Sequence, residues 1–304
     1  MGLVQAPVWF GFIDNLFVSR RFTTMIFCDS VHCAEHFFTR LARQPAVLVR
    51  VASTQGSVPR EAGAWMGVLA EEVVGTIGGG HLEFEAIERA RALLATAGAS
   101  GKSPPRDEPL QVRCALGPSL GQCCGGVVHL TLQRVDACDL PGLAQMLAPA
   151  LTPVALFGGG HVGHALVRAL APLPFLLTWI DSRDGIFPQD LPAQVACEPS
   201  DPVQAAVAGL APQSRVLVMS FSHAEDLEIV ANCLLRLRAK ADLPYVGLIG
   251  SRTKWATFRH RLEARGFGAE ELARITCPIG VPGITGKEPE VIAVAVAAQL
   301  LQTL

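Results

Sequence analysis

The sequence predicts an α/β chain in two parts: an N-terminal mixed α+β domain, then a doubly wound parallel-sheet domain. Three observations carry this. Val154–Phe157 is a short apolar run of the kind buried on both faces of a parallel sheet, and Gly158, Gly160 and Gly163 follow it at the G-x-G-x-x-G spacing. Beyond the glycines, Val162, Ala165, Leu166, Ala169 and Leu170 recur at helical intervals, and Leu176–Ile180 reads as a second strand closed by Asp181. Strand and helix patterns then alternate to the C-terminus, which makes the second half Rossmann-like. In such a unit the glycines let the backbone approach a phosphate, the helix N-terminus offers it N–H groups, and an acid at the place of Asp181 holds a ribose hydroxyl. A rival reading gives the glycines only a packing role between helix and strand.

Composition bounds the function. At 304 residues the chain has room for two cores, and a net charge of −2 argues against binding nucleic acid through electrostatics. No apolar run reaches the roughly 18 to 20 residues of a membrane helix. Residues 1–27 form an N-terminal extension whose basic pair, Arg20-Arg21, follows its apolar part, the reverse of a secretory signal. A start at Met25 is the favoured explanation, and a docking arm the other. Nine cysteines, an odd number without a leader, point to reduced thiols in the cytoplasm.

The front domain spans residues 28–148. Asp29-Ser30 caps a helix over residues 31–43 with Cys33, Phe37 and Leu41 inward. His32 and His36, with Cys28 and Cys33, make a weak metal candidate that lacks a fourth ligand. Residues 45–51 are a strand. A loop follows that carries Gly56, Ser57 and Arg60, whose guanidinium suits a phosphate or carboxylate, although a solvated loop arginine fits equally well. Strands at 65–69 and 73–77 lead to Gly78-Gly79-Gly80 and a helix from His81 to Leu94. This is a second glycine run at a helix start, but Glu83 and Glu85 would compete with any anion there. Residues 97–110 read as a surface loop. Before the strand at 127–132, Cys123 and Cys124 lie between Gly121 and Gly125-Gly126. Glycine amides around a thiol favour the thiolate, a soft metal ligand; two small residues in a tight turn is the alternative. Residues 136–152, with Pro141, Gly142 and Pro149, read as the boundary before the Rossmann-like domain at 149–304.

In that second domain a short strand is expected at 194–198, a helix at 202–210, strands at 215–221 and 245–249, and helices at 227–239, 255–265 and 289–301. The last of these is almost wholly apolar and hence expected to be buried. His223, Ser251 and Arg252 follow strand C-termini, where ligands sit in open parallel sheets, so each is a contact candidate.

Taken together and in order, Gly56-Ser-Val-Pro-Arg60, Gly63-Ala-Trp-Met66, Gly78-Gly-Gly-His-Leu-Glu83, Leu120-Gly-Gln-Cys-Cys-Gly-Gly126, Phe157-Gly-Gly-Gly-His-Val-Gly163, Ser222-His223, Gly247-Leu-Ile-Gly-Ser-Arg252 and Pro278-Ile-Gly280 through Lys287 resemble the XdhC/CoxI family of xanthine dehydrogenase accessory proteins. The resemblance runs from about Pro45 to the end. It departs at His81, where many members carry a cysteine, so no thiol role transfers to that position. It implies a chaperone rather than an enzyme. Such a protein takes molybdenum cofactor, in its molybdopterin or dinucleotide form, as cargo. It holds the cofactor while a cysteine desulfurase supplies sulfur, and inserts it into apo xanthine dehydrogenase. One of Cys123 and Cys124 is then the molybdenum ligand, with Arg60, Gly125, Gly126, Gly158, Gly160, Gly163, Asp181, His223, Ser251 and Arg252 as cofactor contacts. A homodimer is expected by analogy. The competing expectation, from Gly158 to Asp181, is an NAD(P)-binding oxidoreductase.

Overall fold

The computed structural model describes residues 24–26, 30–98, 108–117 and 125–304, so Cys123 and Cys124 lie outside the described residues, as do Cys28, residues 1–23 and most of the 97–110 loop. Contacts divide the chain into two units, Met1–Cys28 with His32–Met146, and Asp29–Val31 with Leu147–Leu304.

The first unit opens with β1 (Thr24–Ile26) and α1 (Ser30–Leu41). As expected, Cys33, Phe37 and Leu41 face inward, because they recur on one stripe of that helix. Next come β2 (Ala46–Gln55), β3 (Trp65–Val68), β4 (Glu72–Gly75), α2 (Gly80–Gly98), β5 (Leu110–Ala115) and β6 (Val127–Val135). They form one six-stranded sheet in the order β1-β4-β3-β2-β6-β5, antiparallel except for β1 on β4. β2 lies at its middle: Val47, Val49 and Val51 alternate into the core with Val128, Leu130 and Leu132 of β6, and α2 covers them with Leu82, Ala86 and Ala90. β5 is an edge strand the sequence reading did not name. Arg40 of α1 forks onto the buried Glu72 that opens β4, Nη2 standing 2.9 Å from Oε2.

The front half departs from the sequence reading in its thiols and in its boundary stretch. Cys33 is disulfide-bonded, so the thiols are not all reduced; Cys114, Cys138, Cys197, Cys233 and Cys277 are free. His36 Nε2 lies 3.8 Å from Glu72, and no cluster of three metal-binding side chains occurs among the described residues. The stretch read as the boundary is more ordered than its prolines suggested. Asp136 accepts from the Cys138 amide at 2.8 Å and caps a 3₁₀ turn (Ala137–Asp139), which leads into α3 (Leu140–Met146).

The second unit runs β7 (Thr152–Phe157), α4 (His161–Leu170), β8 (Phe175–Asp181), β9 (Val195–Pro199), a 3₁₀ segment (Val203–Gly209), β10 (Arg215–Val218), α5 (His223–Lys240), β11 (Tyr245–Leu248), α6 (Arg252–Glu263), α7 (Ala269–Leu272), β12 (Ile275–Thr276) and α8 (Pro289–Leu301). The sheet is wholly parallel, in the order β12-β11-β10-β7-β8-β9. The chain therefore runs outward from β7 in both directions, and the strand order reverses between β7 and β10, where such sheets bind ligands. Cores lie on both faces. One joins α5, α6 and the 3₁₀ segment to the sheet around Ile229, Val230 and Leu234; the other joins α4 and α8 around Leu166, Leu170, Val296 and Leu300. α8 is buried along one stripe only, Val294 being 60% exposed, so its uniform apolarity did not mean uniform burial. Among the described residues, no helix is long and apolar enough to cross a membrane.

Candidate functional site

In the first unit three glycine-bearing turns meet. Gly126 donates to the Ser57 carbonyl at 3.1 Å and accepts from the Leu116 amide at 2.8 Å. A Cβ at Gly126 would lie 2.5 Å from both the Gln55 and Ser57 carbonyls, so only glycine fits against that loop. On the other side, Gly78 has φ +122°, and a Cβ there would lie 2.6 Å from Pro59 Cβ and 3.4 Å from Arg60 Cγ. The structure thus brings together the Gly56–Arg60 loop, the Gly78–Gly80 turn and Gly125-Gly126. Arg60 is exposed at their rim.

The Gly78–Gly80 turn is not an empty anion cradle. The Glu83 carboxylate, 3% exposed, accepts from the Ile77 amide at 3.0 Å, the Gly79 amide at 3.1 Å and the Thr76 hydroxyl at 2.5 Å. The competition anticipated for Glu83 is therefore met at two amides: Ile77 and Gly79 are held by the helix's own acid, and the Gly78 amide donates to the Thr76 hydroxyl at 3.0 Å.

The second unit repeats this arrangement at the β7/β10 switch point. Gly158 has φ +128°, and a Cβ there would collide with the Met219 carbonyl of the chain leaving β10, so the crossing requires glycine. Gly163 packs so close that a Cβ would strike the Gly158 carbonyl, which Trp179 Nε1 also binds at 2.9 Å. Two of the three motif glycines therefore serve close packing, Gly158 against the chain leaving β10 and Gly163 of α4 against Gly158. Gly160, exposed and with open space at its Cβ position, is the N-cap of α4. Asp181 is 2% exposed and faces inward. It accepts from the Gly159 amide at 2.6 Å, and from the Arg183 amide, Nε and Nη2 at 2.9, 2.8 and 2.8 Å. Burial alone would raise its pKa, but the Arg183 guanidinium and the two amides outweigh that and hold the carboxyl below its usual range.

The remaining sequence candidates have local partners. Ser222 caps α5 by accepting from the Glu225 amide at 3.2 Å, and His223 is exposed on the first turn, its ring edge-on to Phe258 at 6.2 Å. Ser251 caps α6 by accepting from the Lys254 amide at 3.1 Å, and Arg252, also exposed, opens that helix. All stand at strand C-termini, as expected. What the sequence reading missed is the brace between them. Asp226, 2% exposed, accepts from the Ser220 amide and hydroxyl, each at 2.8 Å, and from Lys254 Nζ at 2.6 Å; Lys254 also donates to the Ile249 carbonyl at 2.8 Å. The ends of β10 and β11 are thereby tied through one buried ion pair. β10 closes at Val218, short of the expected Phe221, and the Ser220 amide beyond it is bonded to Asp226. The signal was available: an acid in the first turn of the helix after β10, and a lysine in the first turn of the helix after β11.

The family described as XdhC and CoxI family matches residues 40–101, and the XdhC Rossmann domain matches residues 154–300. An uncharacterized protein of Escherichia coli K12, YqeB, is 25% identical over 259 residues, covering 85% of this chain and 43% of that protein. The chain thus spans less than half the length of this curated relative. Among solved structures, one described as a xanthine dehydrogenase from Bacillus halodurans superposes with a TM-score of 0.71 at 18% identity, covering 90% of this chain and 95% of that one. This likeness establishes the shared fold. A Rossmann-fold NAD(P)-binding family protein from Shigella flexneri covers 48% of this chain and 85% of its own at 15% identity, with a TM-score of 0.32.

Proposed function

We propose that this chain, which belongs to the XdhC and CoxI family, is a xanthine dehydrogenase accessory protein that takes molybdenum cofactor as its cargo. In this reading it holds the cofactor while a cysteine desulfurase supplies sulfur, passes it to the apo enzyme and performs no turnover of its own. It works in the cytoplasm as a homodimer. The observation that supports it best is the meeting of three turns in the first unit. Gly125-Gly126, which directly follow Cys123-Cys124 in the chain, are bonded to the Ser57 loop that presents Arg60, and Gly78 closes against the same loop. A sulfur-ligated metal bearing a phosphorylated pterin needs a soft ligand and a phosphate donor near each other; one thiolate of the pair and the Arg60 guanidinium are groups of that chemistry. A single thiolate with hydrogen bonds also suits cargo that must leave again.

The oxidoreductase alternative is weakened by one specific fact. The hydroxyl-accepting acid it relies on, Asp181, is already engaged by Gly159 and Arg183. The deciding experiment is anaerobic purification from a cofactor-producing host, followed by molybdenum analysis and oxidative release of the fluorescent pterin. Cys123→Ala or Cys124→Ala is expected to weaken retention tenfold or more, about 1.4 kcal/mol. Parent-like retention by both single variants and by the double variant would refute the thiolate assignment. A parent that never carries the pterin yet oxidises NADH with a small substrate would refute the accessory role.

A further inference from the structure

The two faces of β2, β6 and β5 are unlike. One turns Val49, Val51, Val112, Leu130 and Leu132 into the core beneath α2. The other is polar. Pairing sets Arg50 of β2 opposite Thr131 of β6, and Thr131 opposite Gln111 of β5. The next row is Ser53, His129 and Arg113, past the irregularity between Val51 and Ser53. Residues opposite each other in a ladder share a face, so these six side chains stand together. Ser53, Gln111 and Arg113 are exposed, while Arg50, His129 and Thr131 are half-buried. Neither row holds a carboxylate, and neither arginine has a counter-ion. Arg50 donates from Nη1 to the Met146 sulfur at 3.0 Å, a weak acceptor, and its Nε is enclosed with no hydrogen-bond partner. Among the described residues, Arg113 has no hydrogen-bonded or ion-paired side-chain partner. Arg40 of the same unit, by contrast, forks onto Glu72. An enclosed guanidinium donor without an acceptor costs free energy, and a carboxylate supplied from outside relieves that cost.

We propose that this open face of β2, β6 and β5 docks an acidic protein surface, whose carboxylates pair with Arg50 and Arg113. Arginine suits the task, because its planar fork takes a carboxylate in two bonds at once. The two arginines lie two strands and one row apart, about 12 Å between Cα atoms, so the partner must present more than one acid. Thr131, Gln111 and Ser53 supply neutral hydrogen-bonding groups around the charges, the mixture found at interface rims. A second copy of the chain is a poor occupant, since a two-fold pairing of this face with itself sets cation against cation. Single-stranded nucleic acid would want free aromatic rings to stack on. Trp65, opposite Arg50 on β3, already packs against Phe37 with ring centres 5.5 Å apart. The inference stands apart from the accessory role, because none of these six residues is a cofactor contact in that reading.

The test is fluorescence anisotropy of a labelled peptide of alternating glutamate and serine, titrated with the full-length chain. The comparison ligands are the same peptide with glutamine for glutamate, a thymidine oligonucleotide, and vesicles of phosphatidylserine and phosphatidylcholine. The glutamate peptide is expected to bind at least tenfold more tightly than the glutamine one, and less tightly as salt rises. Arg113→Glu and Arg50→Gln should each weaken it at least fivefold. Arg89→Glu, an equal charge change at an exposed position of α2 on the opposite side of the sheet, should leave it within twofold of the parent. The peptide should shift the amide resonances of Gln111, Arg113, His129 and Thr131 and spare those of α2. Equal weakening by Arg89→Glu, parent-like binding by the Arg50→Gln and Arg113→Glu double variant, or shifts confined to other elements would overturn the proposal. So would tighter binding of the oligonucleotide or the vesicles than of the peptide, or no peptide binding at millimolar concentration. Circular dichroism checks that each variant is folded. The assay reads no pterin, so its failure and the failure of the accessory role are told apart.

Discussion

Replacing Asp181 with alanine separates a structural carboxylate from a ligand-binding one. In the structure Asp181 satisfies the buried Gly159 amide and three N–H groups of Arg183. The variant leaves the Gly159 amide without an acceptor, at a cost of about 1–3 kcal/mol. It also breaks a largely buried ion pair, worth about 3–5 kcal/mol where both partners are fully enclosed. Arg183 is one-third exposed and can turn to water, so the total falls toward the lower end, about 3 kcal/mol. For a unit the size of Leu147–Leu304, that lowers the melting temperature by roughly 6–12 °C. The pH dependence gives an independent check. The folded-state pKa of Asp181 lies below its ordinary value, so its contribution is fully present above the unfolded value, about 3.9, and is lost as pH falls through the folded one. Scanning calorimetry from pH 7 downward should show the gap between parent and Asp181→Ala narrowing once the pH falls below about 3.9. Arg183→Ala should cost about half as much, because Asp181 keeps the Gly159 amide and the main-chain N–H of residue 183. A shift under about 2 °C at pH 7, or a gap that persists unchanged into acid, would show that this carboxylate is not what closes the turn.

Three further substitutions test the same framework. Gly158→Ala, at φ +128° and against the Met219 carbonyl, should abolish soluble folded protein, whereas Gly160→Ala, with open space and an extended φ, should cost less than about 1 kcal/mol by urea titration; equal tolerance at the two sites would disprove the close crossing. Glu83→Ala should destabilise the first unit by about 2–4 kcal/mol, read as loss of amide-exchange protection at Ile77 and Gly79; parent-like protection would show that the turn does not need its acid. Asp226→Ala should cost about 3–5 kcal/mol because it leaves Lys254 buried without its counter-ion, while Lys254→Met should cost less since Asp226 keeps both Ser220 donors; the opposite order in urea midpoints would sink the brace.

The second unit was legible because its signals are local and repeated. A strand, a glycine turn and a helix at fixed spacing read the same in the chain as in the structure, and α8 covers the predicted residues 289–301. β5 was missed because its alternation of exposed and buried residues begins inside a stretch whose glycines, prolines and charges read as loop. β12, two residues long, is held by its neighbour β11 and carries no period of its own. The site was half-legible for a related reason. Sequence spacing places His223, Ser251 and Arg252 at strand ends correctly. It does not reveal that Ser251 is consumed in capping, or that Asp226 and Lys254, 28 positions apart, meet as a buried pair. Side chains that satisfy each other across the sheet leave no mark at either position alone.

The two glycine turns show the same logic in units of different topology. Each releases main-chain amides, and in each a nearby acid reaches them first: Glu83 from within its own helix, Asp181 from the adjacent strand. An intramolecular carboxylate competes with a free phosphate at a large effective concentration, and here each also gains contacts beyond the amides, a Thr76 hydroxyl in one case and a guanidinium fork in the other. A glycine motif beside such an acid is therefore poor evidence for phosphate at those particular amides. The donors that remain are the ones the acid itself orients. At β8 the acid holds Arg183, whose guanidinium carbon lies 4.8 Å from the centre of the Phe221 ring. In both units the acid thus closes the turn through the amides that the glycine motif sets free.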